Sequence, residues 1–180
     1  FSEGNQNITT TAIGPAGWGI ALVNTASTGS SSIGSNGAQV LNVNNSSGIV
    51  VGGGSPGNSS IFANSSQAIT VQGTGQNLLL VSAAEREVGV STNGAQTIVA
   101  GQAGQSGGIT LNGGTVDGAN ASIFGALNQT IQTSGELRVI GGNVSGPNRA
   151  SAIINSNGNQ TVTANSITVQ AVSGPVSSGI

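Results

Sequence analysis

Residues 93–114 read NGAQTIVAGQAGQSGGITLNGG, and the pattern in this segment recurs along the whole chain. After an Asn-Gly pair come Gln96 and, two residues later, Ile98. A glycine-rich gap then leads to Ile109 and Leu111, which alternate with a polar residue. Alternation of aliphatic and polar residues is typical of a strand with one buried face, and Asn-Gly is typical of a turn. The segment therefore predicts two short strands separated by a corner.

The glutamine and the aliphatic residue after it occur six times, at spacings of 33, 28, 29, 33 and 31 residues. The glutamines are Gln6, Gln39, Gln67, Gln96, Gln129 and Gln160. The aliphatic residues two positions later are Ile8, Leu41, Ile69, Ile98, Ile131 and Val162. A regular period of about 30 residues indicates a repeat architecture.

Two further aliphatic positions keep their place relative to each glutamine. Six residues before a glutamine stand Ile33, Ile61, Val90, Ile123 and Ile154. After the gap, the second residue of each alternating pair is Leu22, Val51, Leu80, Leu111, Val139 or Val169. We expect all these aliphatic side chains, with those that follow the glutamines, to form the core.

Each unit therefore predicts three short strands, but too few inward aliphatic residues to fold alone. Stacking the units would build one continuous core. We predict an all-β fold, a parallel β-solenoid of about six coils of 28–33 residues with three strands per coil, forming a single domain over residues 1–180. Other all-β arrangements, such as a sandwich, would not require the three strand types to recur in a fixed order.

The repeated glutamine has two interpretations. It could be an ordinary polar corner residue in a polar chain. Alternatively, the six side chains could form a hydrogen-bonded amide ladder, as amides do in cross-β assemblies. Because residues i and i+2 of a strand point to the same face, a glutamine two residues before a core aliphatic favours the ladder.

The composition argues against most chemistry. The chain has 180 residues, a net charge of −2, three arginines, and no lysine, histidine or cysteine. We therefore expect no enzyme, no cofactor, no metal site and no nucleic-acid partner. No apolar stretch approaches the length of a membrane span, so no membrane insertion is expected. Glu85, Arg86 and Glu87 form the one charge cluster, interpreted as a solvated corner or a recognition spot.

Segments 93–114 and 157–170 (NGNQTVTANSITVQ) resemble the β-helix repeats of filamentous-haemagglutinin-like surface proteins of proteobacteria. The resemblance implies a right-handed parallel β-helix, export to the cell exterior and a role in adhesion or matrix, and it carries no catalytic residues. The recurring glutamine is also similar to that of curli-type functional amyloids.

These observations predict a secreted structural protein whose coils stack end to end into an extracellular filament or biofilm-matrix fibre, with copies of itself as partner. The first repeat lacks its first strand, and residues 172–180 of another copy could occupy that notch. The alternative is a rigid stalk segment of a larger cell-surface adhesin. A polysaccharide-cleaving enzyme would need clustered carboxylates, and whether a host or matrix glycan binds is left open.

Overall fold

A computed structural model of the chain describes residues 1–11, 17–24, 29–44, 48–52, 57–73, 75–102, 104, 106–144, 150–171 and 177–180. Within these ranges the structure contains strands and connecting turns but no helix, so the all-β prediction is confirmed. It follows that no described helix is long and apolar enough to cross a membrane.

The described strands alternate among three parallel sheets in a constant order. The glutamine sheet contains β1 (Gln6–Thr10), β4 (Gln39–Asn44), β7 (Gln67–Gln72), β10 (Gln96–Ala100), β13 (Gln129–Thr133) and β16 (Gln160–Thr163). The second sheet contains β2 (Ile20–Val23), β5 (Ile49–Gly52), β8 (Gly75–Ser82), β11 (Gly107–Asn112), β14 (Glu136–Ile140) and β17 (Ser166–Gln170). The third sheet contains β3 (Ser30–Ser35), β6 (Asn58–Ala63), β9 (Val88–Thr92), β12 (Ala121–Gly125), β15 (Ser151–Ser156) and β18 (Ser177–Gly179).

Each strand pairs with the strand three places further along the chain, and every such pair is parallel. The path from β1 to β16 makes five turns, after which β17 and β18 continue the winding. In the glutamine sheet the register places Gln6 opposite Gln39 and Gln39 opposite Gln67. The prediction of a parallel β-solenoid with three strands per coil is therefore confirmed.

Stacked aliphatic side chains fill the space between the three sheets. In the glutamine sheet, the file of Leu41, Ile69, Ile98 and Ile131 is completely buried. Like side chains stack because the strands are in register and side chains alternate between the two faces. Burying one such side chain contributes roughly 1.5–3 kcal/mol, so stability comes from the contacts between coils.

The end coils bury their predicted core residues less completely. Ile8, Ile33 and Val162 are half-buried and pack against the core from one side. Val169 was predicted as a core residue, and this is wrong for the described chain, because its side chain is 48% exposed. It continues the file of Val139, but no described coil covers its other side.

Leu80 was also predicted as a core residue, and the structure contradicts this. The core positions of β8 are Leu79 and Val81, which stand opposite Ile49 and Val51 of β5. Leu80 is half-buried and lies on the outer face, opposite Val50. β8 has three residues between Gly75 and Leu79 where β11 has one between Gly107 and Ile109, and this irregularity places Leu79 rather than Leu80 opposite Ile109.

This register predicts different effects for two neighbouring leucines. Leu79→Ala should lower the free energy of unfolding by about 2–5 kcal/mol, because it empties part of a closed core. Leu80→Ala should lower it by less than about 1 kcal/mol, since that side chain is already partly in water. Urea denaturation of both variants measures the difference. A larger loss for Leu80→Ala would contradict the register.

Candidate functional site

The most regular feature of the structure is a file of glutamine side chains at one corner. In each step, Nε2 of one glutamine donates to Oε1 of the glutamine one coil earlier. The five distances, from the Gln39–Gln6 pair to the Gln160–Gln129 pair, are 2.8, 2.9, 2.7, 2.7 and 2.6 Å. The structure thus places all six glutamines in the amide ladder that their spacing favoured.

The ladder also joins the glutamine sheet to the third sheet. The second hydrogen of the amide can reach a backbone carbonyl of the third sheet, as Gln67 does towards Ser91 (3.3 Å) and Gln39 towards Phe62 (3.3 Å). The four inner glutamines are only 1–2% exposed. A buried amide is costly unless its hydrogen bonds are made, and the regular stack makes them.

A second polar file runs along the surface three residues before the glutamines. Asn36 Nδ2 donates to Glu3 Oε2 (3.1 Å), Asn64 Nδ2 to Asn36 Oδ1 (2.8 Å) and Asn93 Nδ2 to Asn64 Oδ1 (2.9 Å). From the sequence, the Asn-Gly pair that contains Asn93 was interpreted only as a turn. The missed signal was the constant distance of these asparagines from the repeated glutamine.

The described charged side chains do not form a chemical site. Glu85, Arg86 and Glu87 are exposed in the corner between β8 and β9. In the described part of the chain, the one ion pair joins Arg138 Nε to Glu136 Oε2 at 3.9 Å, and both side chains are partly exposed. The residues that the structure describes contain no group of three or more His, Cys, Asp or Glu side chains that could hold a metal ion.

The described outer surface of the third sheet carries an open groove. Hydroxyl and amide side chains dominate its lining, with Ser60, Ser122 and Asn120 among them, and Glu87 supplies a carboxylate. None of the residues that line it is aromatic or cationic. The groove therefore offers hydrogen-bonding groups but no nucleophile paired with a base.

The two ends of the described stack expose apolar side chains. We define the first face as the free edges of β1, β2 and β3, and the last face as the free edges of β16, β17 and β18. Phe1 at the first face is 75% exposed. Ile167, Val169 and Ile180 at the last face are 50, 48 and 42% exposed. Both faces thus combine unpaired strand edges with apolar side chains.

In comparisons with known proteins, no family model, no curated protein and no solved structure matches the chain significantly. The likeness to filamentous-haemagglutinin-like repeats therefore rests on the sequence pattern, which segments 93–114 and 157–170 illustrate and which recurs over nearly the whole chain.

Proposed function

We propose that the chain is a secreted structural protein whose solenoids stack end to end into an extracellular filament or biofilm-matrix fibre, without enzymatic activity. The observation that carries this proposal is the pair of end faces. Unpaired strand edges are templates for pairing with another chain. Here the edges lie beside half-exposed Ile167 and Val169, whose burial by a neighbouring coil would be favourable. Location outside the cell is supported by the resemblance to surface-protein repeats.

A rigid stalk segment of a larger adhesin is the second candidate. In that case the same edges would pair with further coils of one long chain. The resemblance to repeats of large surface proteins favours it. In both cases the solenoid acts as a stiff rod, because each coil is held to its neighbours by three ladders of backbone hydrogen bonds.

The two candidates predict different behaviour of the 180-residue chain. For the filament, we expect unbranched fibres that grow with protein concentration in electron micrographs. Fibre diffraction should show a reflection at about 4.8 Å along the fibre axis, because the strands lie across it. If sedimentation finds only monomers at high concentration, the filament proposal is wrong and the stalk is favoured.

A further inference from the structure

The third sheet ends in two half strands, one at each face. At the last face, Ser177, Ser178 and Gly179 of β18 pair with Ser151, Ala152 and Ile153, which leaves the second half of β15 uncovered. At the first face, Ser2 forms a single parallel bridge with Ser35, the final residue of β3. Among the described residues, the last face shows the first half of this strand and the first face shows its end.

The register shows that the two halves are complementary. One file of the third sheet runs through Ser31, Ser59, Val88, Ala121, Ala152 and Ser178. Residues 177–180 therefore stand at the positions of residues 30–33. Because Ser2 stands opposite Ser35, residues 1–2 stand at the positions of residues 34–35. The halves meet without an overlap or a gap.

Joining the two segments also produces a complete repeat sequence. Residues 177–180 followed by residues 1–6 read SSGIFSEGNQ, while residues 30–39 read SSSIGSNGAQ. The two strings share six of ten positions, namely Ser, Ser, Ile, Ser, Gly and Gln. Ile180 takes the position of the inward Ile33 and, in the joined string, stands six residues before Gln6 as Ile33 stands before Gln39.

The outward side chains of the third sheet continue the pattern across the junction. At one position they alternate between a large and a small residue, as Phe1, Gly34, Phe62, Ser91, Phe124 and Asn155. A Cβ atom on Gly34 would lie 2.7 Å from Cδ2 of Phe1, so the phenyl ring already uses the space of the small neighbour. In a following copy, Phe1 would come directly after Asn155, and the alternation would persist.

The polarity of the glutamine ladder also fits. Every step donates from the later to the earlier glutamine. Among the described residues, the ladder begins at Gln6, which accepts from Gln39, and reaches Gln160, which donates to Gln129. At the last face, Oε1 of Gln160 thus faces away from its neighbour in the ladder, and at the first face Nε2 of Gln6 faces away from its own. A following copy placed in register would join these two atoms, which requires head-to-tail stacking.

We propose that two copies of this chain join through one shared strand. Residues 177–180 of one copy and residues 1–2 of the next form a single strand between β15 of the first copy and β3 of the second. The other sheets continue by pairing β16 with β1 and β17 with β2. This inference rests on the proposed end-to-end stacking and specifies its register.

Cysteine cross-linking tests the register. The described chain has no cysteine, and Phe1 and Asn155 lie about 24 Å apart within one copy, at five spacings of 4.8 Å. In the shared strand they are neighbours on the outer face. In the Phe1→Cys/Asn155→Cys variant, we expect oxidation to produce a ladder of disulfide-linked oligomers that dithiothreitol dissolves. The control is the Phe1→Cys/Ile153→Cys variant, in which the second cysteine lies on the same face of β15 but two residues from position 155. We expect it to form at least tenfold fewer cross-links.

The outcomes separate the two proposals. Fibres without in-register cross-links, or with equal cross-linking of both variants, would overturn the shared strand and leave end-to-end stacking intact. The stacking itself would be overturned if neither the parent chain nor the double variants formed fibres and the double variants also formed no cross-links.

A tandem fusion tests the same register without requiring filaments. In a chain in which residue 180 is followed directly by residue 1 of a second copy, we expect one cooperative unfolding transition, several degrees above that of the single unit. One alanine inserted at the junction would turn the following side chains to the wrong face of the strand. The fusion with the inserted alanine should therefore not show the increase in melting temperature. Equal melting temperatures of the two fusions would overturn the shared strand.

Discussion

Gln96→Ala should lower the free energy of unfolding by about 3–6 kcal/mol, one of the largest effects expected for a single substitution in this chain. Gln96 is 1% exposed, donates to Gln67 at 2.7 Å and accepts from Gln129 at 2.7 Å. Its removal leaves a buried acceptor on one neighbour and a buried donor on the other. Each unsatisfied group costs about 1–3 kcal/mol, and lost packing adds to this. Urea denaturation followed by circular dichroism measures the change.

Gln6→Ala is the matched control, because it removes the same side chain from the end of the same ladder. Gln6 is half-buried and shares one ladder bond, with Gln39. We expect a loss of about 1 kcal/mol or less, since water can reach the amide of Gln39 more easily there. Equal losses for the two variants would show that the ladder does not contribute through burial of its amides.

The ladder has a direction, and this matters for assembly. All five amide bonds point the same way along the axis, and so do the parallel strands. A copy turned upside down would place donor against donor where two first faces meet and acceptor against acceptor where two last faces meet. Head-to-tail stacking avoids this conflict, and heterologous contacts of this kind form open filaments when they do not close into a ring.

The sequence predicted the coil correctly where one residue type recurred at a fixed distance from another. The glutamine and the aliphatic residue two positions later needed no knowledge of the corners, because the parallel register aligns like residues. Leu80 was misplaced because residues 78–81 are all aliphatic, and a run without alternation does not show which side faces inward. Only the bulge between β8 and β11 decides that, and it depends on pairing with another coil.

The complementary half strands were harder to predict for a different reason. From the sequence we expected the first repeat to be completed by residues 172–180 of another copy. Of this segment, residues 172–176 lie outside the described residues. The register of β18 against β15 reveals that residues 177–180 supply four positions and residues 1–2 supply the next two. A pattern divided between the two ends of a chain is not visible in a scan along it.

Gly48→Ala should lower the free energy of unfolding by about 2–6 kcal/mol. Gly48 precedes β5, has a φ of 111°, and would place a Cβ atom 1.9 Å from the carbonyl oxygen of Leu78 in the next coil. The unusual backbone conformation costs about 1–3 kcal/mol for a residue with a side chain. The clash costs about 1–3 kcal/mol more, because backbone held in a sheet cannot easily move away. Thermal and urea denaturation measure the total.

Gly29→Ala separates the two costs of the Gly48 substitution. Gly29 has a similar φ of 125°, but nothing lies within 4 Å of a Cβ atom built on it. We expect Gly29→Ala to show only the conformational cost, about 1–3 kcal/mol. The additional loss in Gly48→Ala then measures how closely neighbouring coils approach at the corner before the second sheet. If the two variants were equally stable, the close approach of residue 48 to Leu78 would be contradicted, and with it the tight stacking of coils on which a stiff rod depends.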